Sequence, residues 1–233
     1  MIDIIKFLSK LLFVFLLLNI VCAPPALSTA DDIPAEIKAH DHGAAILSSE
    51  RTKAVVVALV SNMFTDIEND IIREAAYTIG FQTNDTIKII LIPESDIRKP
   101  LLLPMNATIF PIIIKKVDDY DPQVMAIDAN VHDTILGFYD KDAIVPTILI
   151  VYSRIQTSYT YTGVVMHEIM HSIGMKHSSY EEQLMYPRID ADCLGQHDIL
   201  QLGHIFGTDP DKMIACDSDW DEQICMTDYP GNY

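Results

Sequence analysis

The residues best placed to do chemistry lie in one segment, Val165-Met166-His167-Glu168-Ile169-Met170-His171-Ser172-Ile173-Gly174-Met175-Lys176-His177. His167 and His171 are four apart, so on a helix their imidazoles leave one face about one turn apart and can share a metal ion. Glu168 is rotated by about 100° from His167 and can stand beside the ion without ligating it, where it would hold and deprotonate a zinc-bound water. Gly174 tolerates the positive φ of a sharp helix stop, which lets the chain double back and deliver His177 to the same ion. Three imidazoles and a water form the open tetrahedral site of a catalytic zinc. A structural zinc usually closes with four protein ligands, and no suitably placed Cys accompanies these three.

Such a site needs a scaffold, and the hydrophobic pattern predicts one. Ala54 to Val60 is a short, β-branched apolar run, as expected of a buried strand. Thr65-Asp66-Ile67-Glu68 has the form of a capping box, and Phe64, Ile67, Ile71, Ala75 and Ile79 follow at helical spacing until Gly80 supplies a stop. Thr86 to Ile92 and Ile109 to Ile114 read as further buried strands, giving a β-α-β start. The stretch from Lys115 to Asp133 reads as a solvated acidic loop. Its Asp118, Asp119, Asp121 and Asp128 have no regular calcium-ligand spacing, so calcium binding stays open but unsupported. Two more strands are expected over Thr134 to Tyr139 and Thr147 to Tyr152, and Thr157-Ser158-Tyr159-Thr160 opens the helix that carries the histidines.

The motif resembles that of the metzincin zinc endopeptidases, His-Glu-x-x-His-x-x-Gly-x-x-His followed by a methionine-containing turn. Leu184-Met185-Tyr186-Pro187 supplies that turn eight residues beyond His177, and Ser178 directly follows the third histidine; both are similar to the matrixin branch, the matrix metalloproteinases and their relatives. The resemblance implies an α/β (α+β) fold: a five-stranded twisted mixed sheet with an antiparallel edge strand, an active-site helix, the Met-turn and a C-terminal helix. It implies Met185 as an apolar floor beneath the metal and assigns no metal to Tyr186. It places Leu136 and Gly137 on the edge strand that pairs with an extended substrate. Asp198 matches the second of two successive acids in the family's last helix, where His197 stands in place of the first. No cysteine switch lies between residues 31 and 50, and His132 is isolated, so a second zinc has no clear ligand set. His40-Asp41-His42 reads as a solvated pair on a tail.

At the N-terminus, Lys6 and Lys10 precede an apolar run from Leu11 to Leu18, about half the ~20 residues that a membrane-spanning helix needs. Residues 1–30 are therefore expected to be a signal peptide, 31–50 a tail, and 51–233 the catalytic domain with a small acidic C-terminal subdomain. Export leaves Cys193, Cys216 and Cys225, which allow three pairings; Cys193 with Cys216 is preferred because it ties the tail to the domain body. Asn84-Asp85-Thr86 and Asn106-Ala107-Thr108 are glycosylation acceptors compatible with that route.

The formal net charge is −17, from 33 acids against 16 Lys and Arg. That removes the counterion-release drive for nucleic acid, and anionic membranes are equally poor partners. Ten acids face only Lys212 over the last 44 residues. The sequence thus leads to a secreted, monomeric endopeptidase with one catalytic Zn²⁺, acting on protein or peptide substrates with a bias toward cationic ones. Its rivals are a secreted zinc-containing protein that binds peptides without cutting them, and a hydrolase of non-peptide bonds on the same scaffold.

Overall fold

The computed structural model describes residues 52–96, 103, 106–131 and 135–216. Apart from Leu103 and Asn106, these belong to one compact unit spanning Arg51–Ile97 and Ala107–Tyr233. The expected signal peptide, the tail with His40 and His42, His132 and Cys225 lie outside the described residues.

The chain runs β1 (Ala54–Val60), α1 (Asp66–Gln82), β2 (Ile87–Pro93), β3 (Thr108–Val117), α2 (Pro122–Val131), β4 (Gly137–Asp140), β5 (Thr147–Val151), α3 (Ser158–Ser172) and α4 (Gln196–Phe206), with short 3₁₀ turns between. The strands form one mixed sheet in the order β2-β1-β3-β5-β4. All neighbours are parallel except β4, which runs antiparallel along β5 at the edge.

Strand alternation assigns the faces. Val56 and Ala58 of β1, Ile112 and Ile114 of β3, and Ile148 and Ile150 of β5 are buried in one cluster with Ile72, Ala75 and Ile79 of α1 and Val165, Ile169 and Met170 of α3. α1 and α3 thus cover one face of the sheet. Val55, Leu149 and Val151, on the opposite pleats, are also buried, as in a sheet whose strands read as continuous apolar runs. Ile67 alone departs from the expected helical stripe and is exposed.

α1 opens on the predicted capping box: Glu68 N donates to Thr65 Oγ1 at 3.3 Å and Thr65 N to Glu68 Oε2 at 2.7 Å. It does not stop at Gly80. The helix runs to Gln82, and the turn is made by Asn84 (φ 48°) and Asp85 (φ 60°). These short polar side chains tolerate the left-handed region that Gly80 was expected to supply.

Pro111 lies inside β3, a central strand. Thr108 N donates to Lys53 O and Ser61 N to Ile114 O, so even-numbered residues of β3 face β1. Pro111 therefore turns its missing N–H toward β5, whose pairing with β3 begins only at Ile113.

The acidic stretch is corrected from loop to helix over Pro122–Val131. Asp121 begins α2, its Oδ1 accepting from Gln123 N at 2.8 Å, and Pro122 occupies a first-turn position where no intrahelical N–H is needed. Asp119 and Asp128 both pair with Arg154. The guanidinium also donates to Ile135 O at 2.8 Å, so the chain entering the edge strand is fastened to the segment after β5. The edge strand accordingly begins at Gly137, three residues later than expected.

Candidate metal centre

α3 is capped by Thr157, whose side chain accepts from Thr160 N, and ends at Ser172. Gly174 follows at φ +100°, and Met175 N returns to Met170 O at 3.1 Å. That reversal brings His177 back over the helix. The imidazole nitrogens of His167, His171 and His177 lie within 4.8 Å of one another, the one metal-competent group of three or more His, Cys, Asp or Glu among the described residues.

Hydrogen bonds fix which nitrogen each ring offers. His167 Nδ1 donates to Leu184 O at 2.8 Å and His171 Nδ1 to Met175 O at 2.9 Å, leaving both Nε2 atoms free to face inward. His171 Nε2 and His177 Nε2 are 3.1 Å apart. Tetrahedral zinc with Zn–N of about 2.0–2.1 Å has an edge of about 3.3–3.4 Å, close to the His171–His177 spacing, and three imidazole nitrogens are a donor set that ion takes.

Burial keeps these rings neutral, as metal ligation requires. It pushes His167 down to about 3, with the Leu184 carbonyl opposing and the neighbouring His171 and His177 reinforcing. His171 and His177 are lowered for the same first reason.

The Glu168 side chain lies against Gly137 of β4. It is buried, and burial pushes its carboxyl up to about 8, opposed by a hydrogen bond from the Tyr139 backbone N–H. Val151 N donates to Leu136 O, which makes Leu136 opposite Val151 a hydrogen-bonded pair. Gly137 opposite Ile150 and Tyr139 opposite Ile148 then turn their backbone groups outward from β5. The Tyr139 N–H thus faces outward along the edge of the sheet. Leu136 sits just before the strand and Gly137 begins it.

Met185 is fully buried on the turn beyond His177, and Ser178 N donates to Met185 O at 2.7 Å. Tyr186, next along, bonds through its hydroxyl to Glu181 Oε1 at 3.2 Å. Asp198 of α4 is fully buried, and its Oδ2 accepts from Leu184 N at 2.9 Å and Gly195 N at 3.0 Å. Burial raises this carboxyl above the usual range, with the backbone donors opposing. Gln183 steadies the same helix start, its Oε1 accepting from His197 N at 2.9 Å. His197, which replaces the first acid, stacks on Tyr180 at 3.8 Å.

The C-terminal segment is closed by the disulfide Cys193–Cys216, the preferred of the three pairings. Gln82 was not foreseen: buried at the end of α1, it donates from Nε2 to Leu194 O and Ile214 O and accepts from Leu194 N. Neither Gln82 nor Tyr139 leaves a sequence signal, since each acts through residues brought close only by folding.

The family model described as Matrixin matches residues 56–207, well over half of the chain. The chain belongs to the matrixin family. Matrixins are zinc metalloproteases acting on peptide or protein substrates, and the five-stranded mixed sheet with four helices is the matrixin architecture. A search of curated proteins gives no significant match. No helix among the described residues is long and apolar enough to cross a membrane.

Proposed function

We propose that this matrixin is a secreted zinc endopeptidase in which His167, His171 and His177 hold the ion and Glu168 is the general base. The observation that carries the reading is the three-histidine cluster, with a buried carboxyl on the adjacent helix position facing the edge strand. Zinc bound there supplies Lewis acidity that polarises the scissile carbonyl and acidifies the attacking water. Glu168 takes the water's proton on its carboxylate and passes it to the departing amine nitrogen. Burial alone holds this carboxyl above the usual range, and a zinc ion bound beside it would favour the carboxylate that takes the proton.

The extended substrate lies along the outward backbone groups of β4, beyond which the sheet has no further strand among the described residues. Met185 provides the apolar floor, and Asp198 holds the turn that carries it. The apolar run from Leu11 to Leu18 and the disulfide favour export. The acidic surplus favours cationic substrates by steering.

Purified protein incubated with a diverse peptide library, with and without a chelator, tests the activity. Glu168→Ala should keep its zinc and lose about 10²–10⁴-fold in kcat/KM. Peptide binding without cleavage by the wild type would favour the binding-protein alternative; cleavage by Glu168→Ala within a few fold would remove the assigned mechanism.

A further inference from the structure

Gly137 lies against the helix where a side chain would meet the candidate general base. A Cβ built there would come within 2.7 Å of Val164 Cγ1, 3.0 Å of Glu168 Cγ and 3.1 Å of Glu168 Oε1. Carbon–carbon contacts settle at about 3.5–4.0 Å, so the first two are compressed, and the approach to the carboxylate oxygen is tight as well. Val164 and Glu168 are one turn apart on α3 and both are buried, which leaves neither side chain an easy retreat. Two residues on, the Tyr139 N–H faces outward from the same edge. A glycine weakens so short a strand, and its presence marks a close approach.

We propose that Gly137 is a positioning residue: its missing side chain lets the edge strand settle over the notch between Val164 and Glu168 and leaves the Glu168 carboxyl in its place. The inference rests on the reading of Glu168 as general base. It assigns Gly137 a role apart from the substrate pairing expected of it. Substrate strands would use its outward backbone groups, whereas the base depends on what Gly137 lacks.

The test uses the zinc-loaded full chain. Gly137→Ala should retain one zinc and keep KM within about twofold, while kcat falls by about 10–100-fold through misplacement of the carboxyl. In a Glu168→Ala background there is no carboxyl to displace, so adding Gly137→Ala should leave the Kd for a peptide that the wild type cleaves unchanged within about twofold. An unchanged kcat in the single variant, or lost peptide affinity in that background, overturns the inference. If Gly137→Ala fails to fold, the double variant Gly137→Ala, Val164→Ala removes the 2.7 Å contact, keeps those to Glu168 and is judged by the same criteria. If the wild type cleaves no peptide, the protease reading fails separately. Crystal structures of wild type and Gly137→Ala then decide the inference: a Glu168 carboxyl displaced from its wild-type position with the three histidines in register supports it, and Glu168 unmoved overturns it.

Discussion

His167 Nδ1 donates to the carbonyl of Leu184, 2.8 Å away and seventeen residues on, so the first histidine of the cluster is oriented by the turn that carries Met185. That turn is itself held from α4, where Asp198 Oδ2 accepts from Leu184 N. Asp198, Leu184 and His167 therefore form a chain of hydrogen bonds running from the last helix to the metal centre.

The chain predicts an effect at a distance. Asp198→Ala leaves the Leu184 and Gly195 amides buried without their acceptor, at about 1–3 kcal/mol for each orphaned donor. It also frees the turn that orients His167, and loss of such outer support typically weakens metal binding about 10–100-fold. Urea unfolding of the metal-free protein and zinc competition against a chelator read the two effects apart. Zinc affinity unchanged in a variant that is destabilised would show that Asp198 supports the fold alone.

His177 stands outside α3 and reaches the cluster only through the reversal at Gly174. His177→Ala should lower zinc retention sharply while leaving the helix and its two histidines in place. Elemental analysis after dialysis against chelator checks it. Full occupancy in the variant would remove His177 from the ligand set.

The parts of this centre differ in how legible they were. Spacing revealed His167, His171, Gly174 and His177 because helix geometry turns a local register into a shared face. The disulfide was one of three pairings, and geometry had to choose. Arg154 was illegible: its partners Asp119, Asp128 and Ile135 lie up to 35 residues away and meet only because β3, α2 and β4 surround the turn after β5. The Asp121-Pro122 pair did announce α2, but the neighbouring acids masked it as a loop. Gly80 misled in the other direction, as a glycine in a helix with ordinary space around it while Asn84 and Asp85 made the turn.

Arg154 gives a pH prediction. Hydrogen bonds from its guanidinium hold the Asp128 carboxyl below the usual range, burial opposing. A depressed folded-state value means the pair stabilises fully above the unfolded-state value of about 3.9, and the contribution is lost as pH falls through the lower folded value. The urea midpoint of the wild type should therefore drop between about pH 5 and pH 2. Asp128→Asn, already without that charge, should start lower at pH 6 and fall less steeply. Parallel curves would show that the Arg154 pair carries no linkage.

Cys193 and Cys216 close a loop whose ends are 23 residues apart, for which chain entropy alone assigns about 3 kcal/mol. The same loop is held a second way. Gln82 binds Leu194 and Ile214, one and two residues inside the cysteines, so the two ends stay joined through its amide when the bond is absent. Replacing both cysteines by Ala should therefore cost less than about 3 kcal/mol in an otherwise intact chain. Adding Gln82→Ala should cost more in the cysteine-free protein than in the wild type, because each fastening covers for the other. A double-mutant cycle by urea unfolding measures the difference, and strictly additive losses would mean that the disulfide and Gln82 secure the C-terminal segment independently.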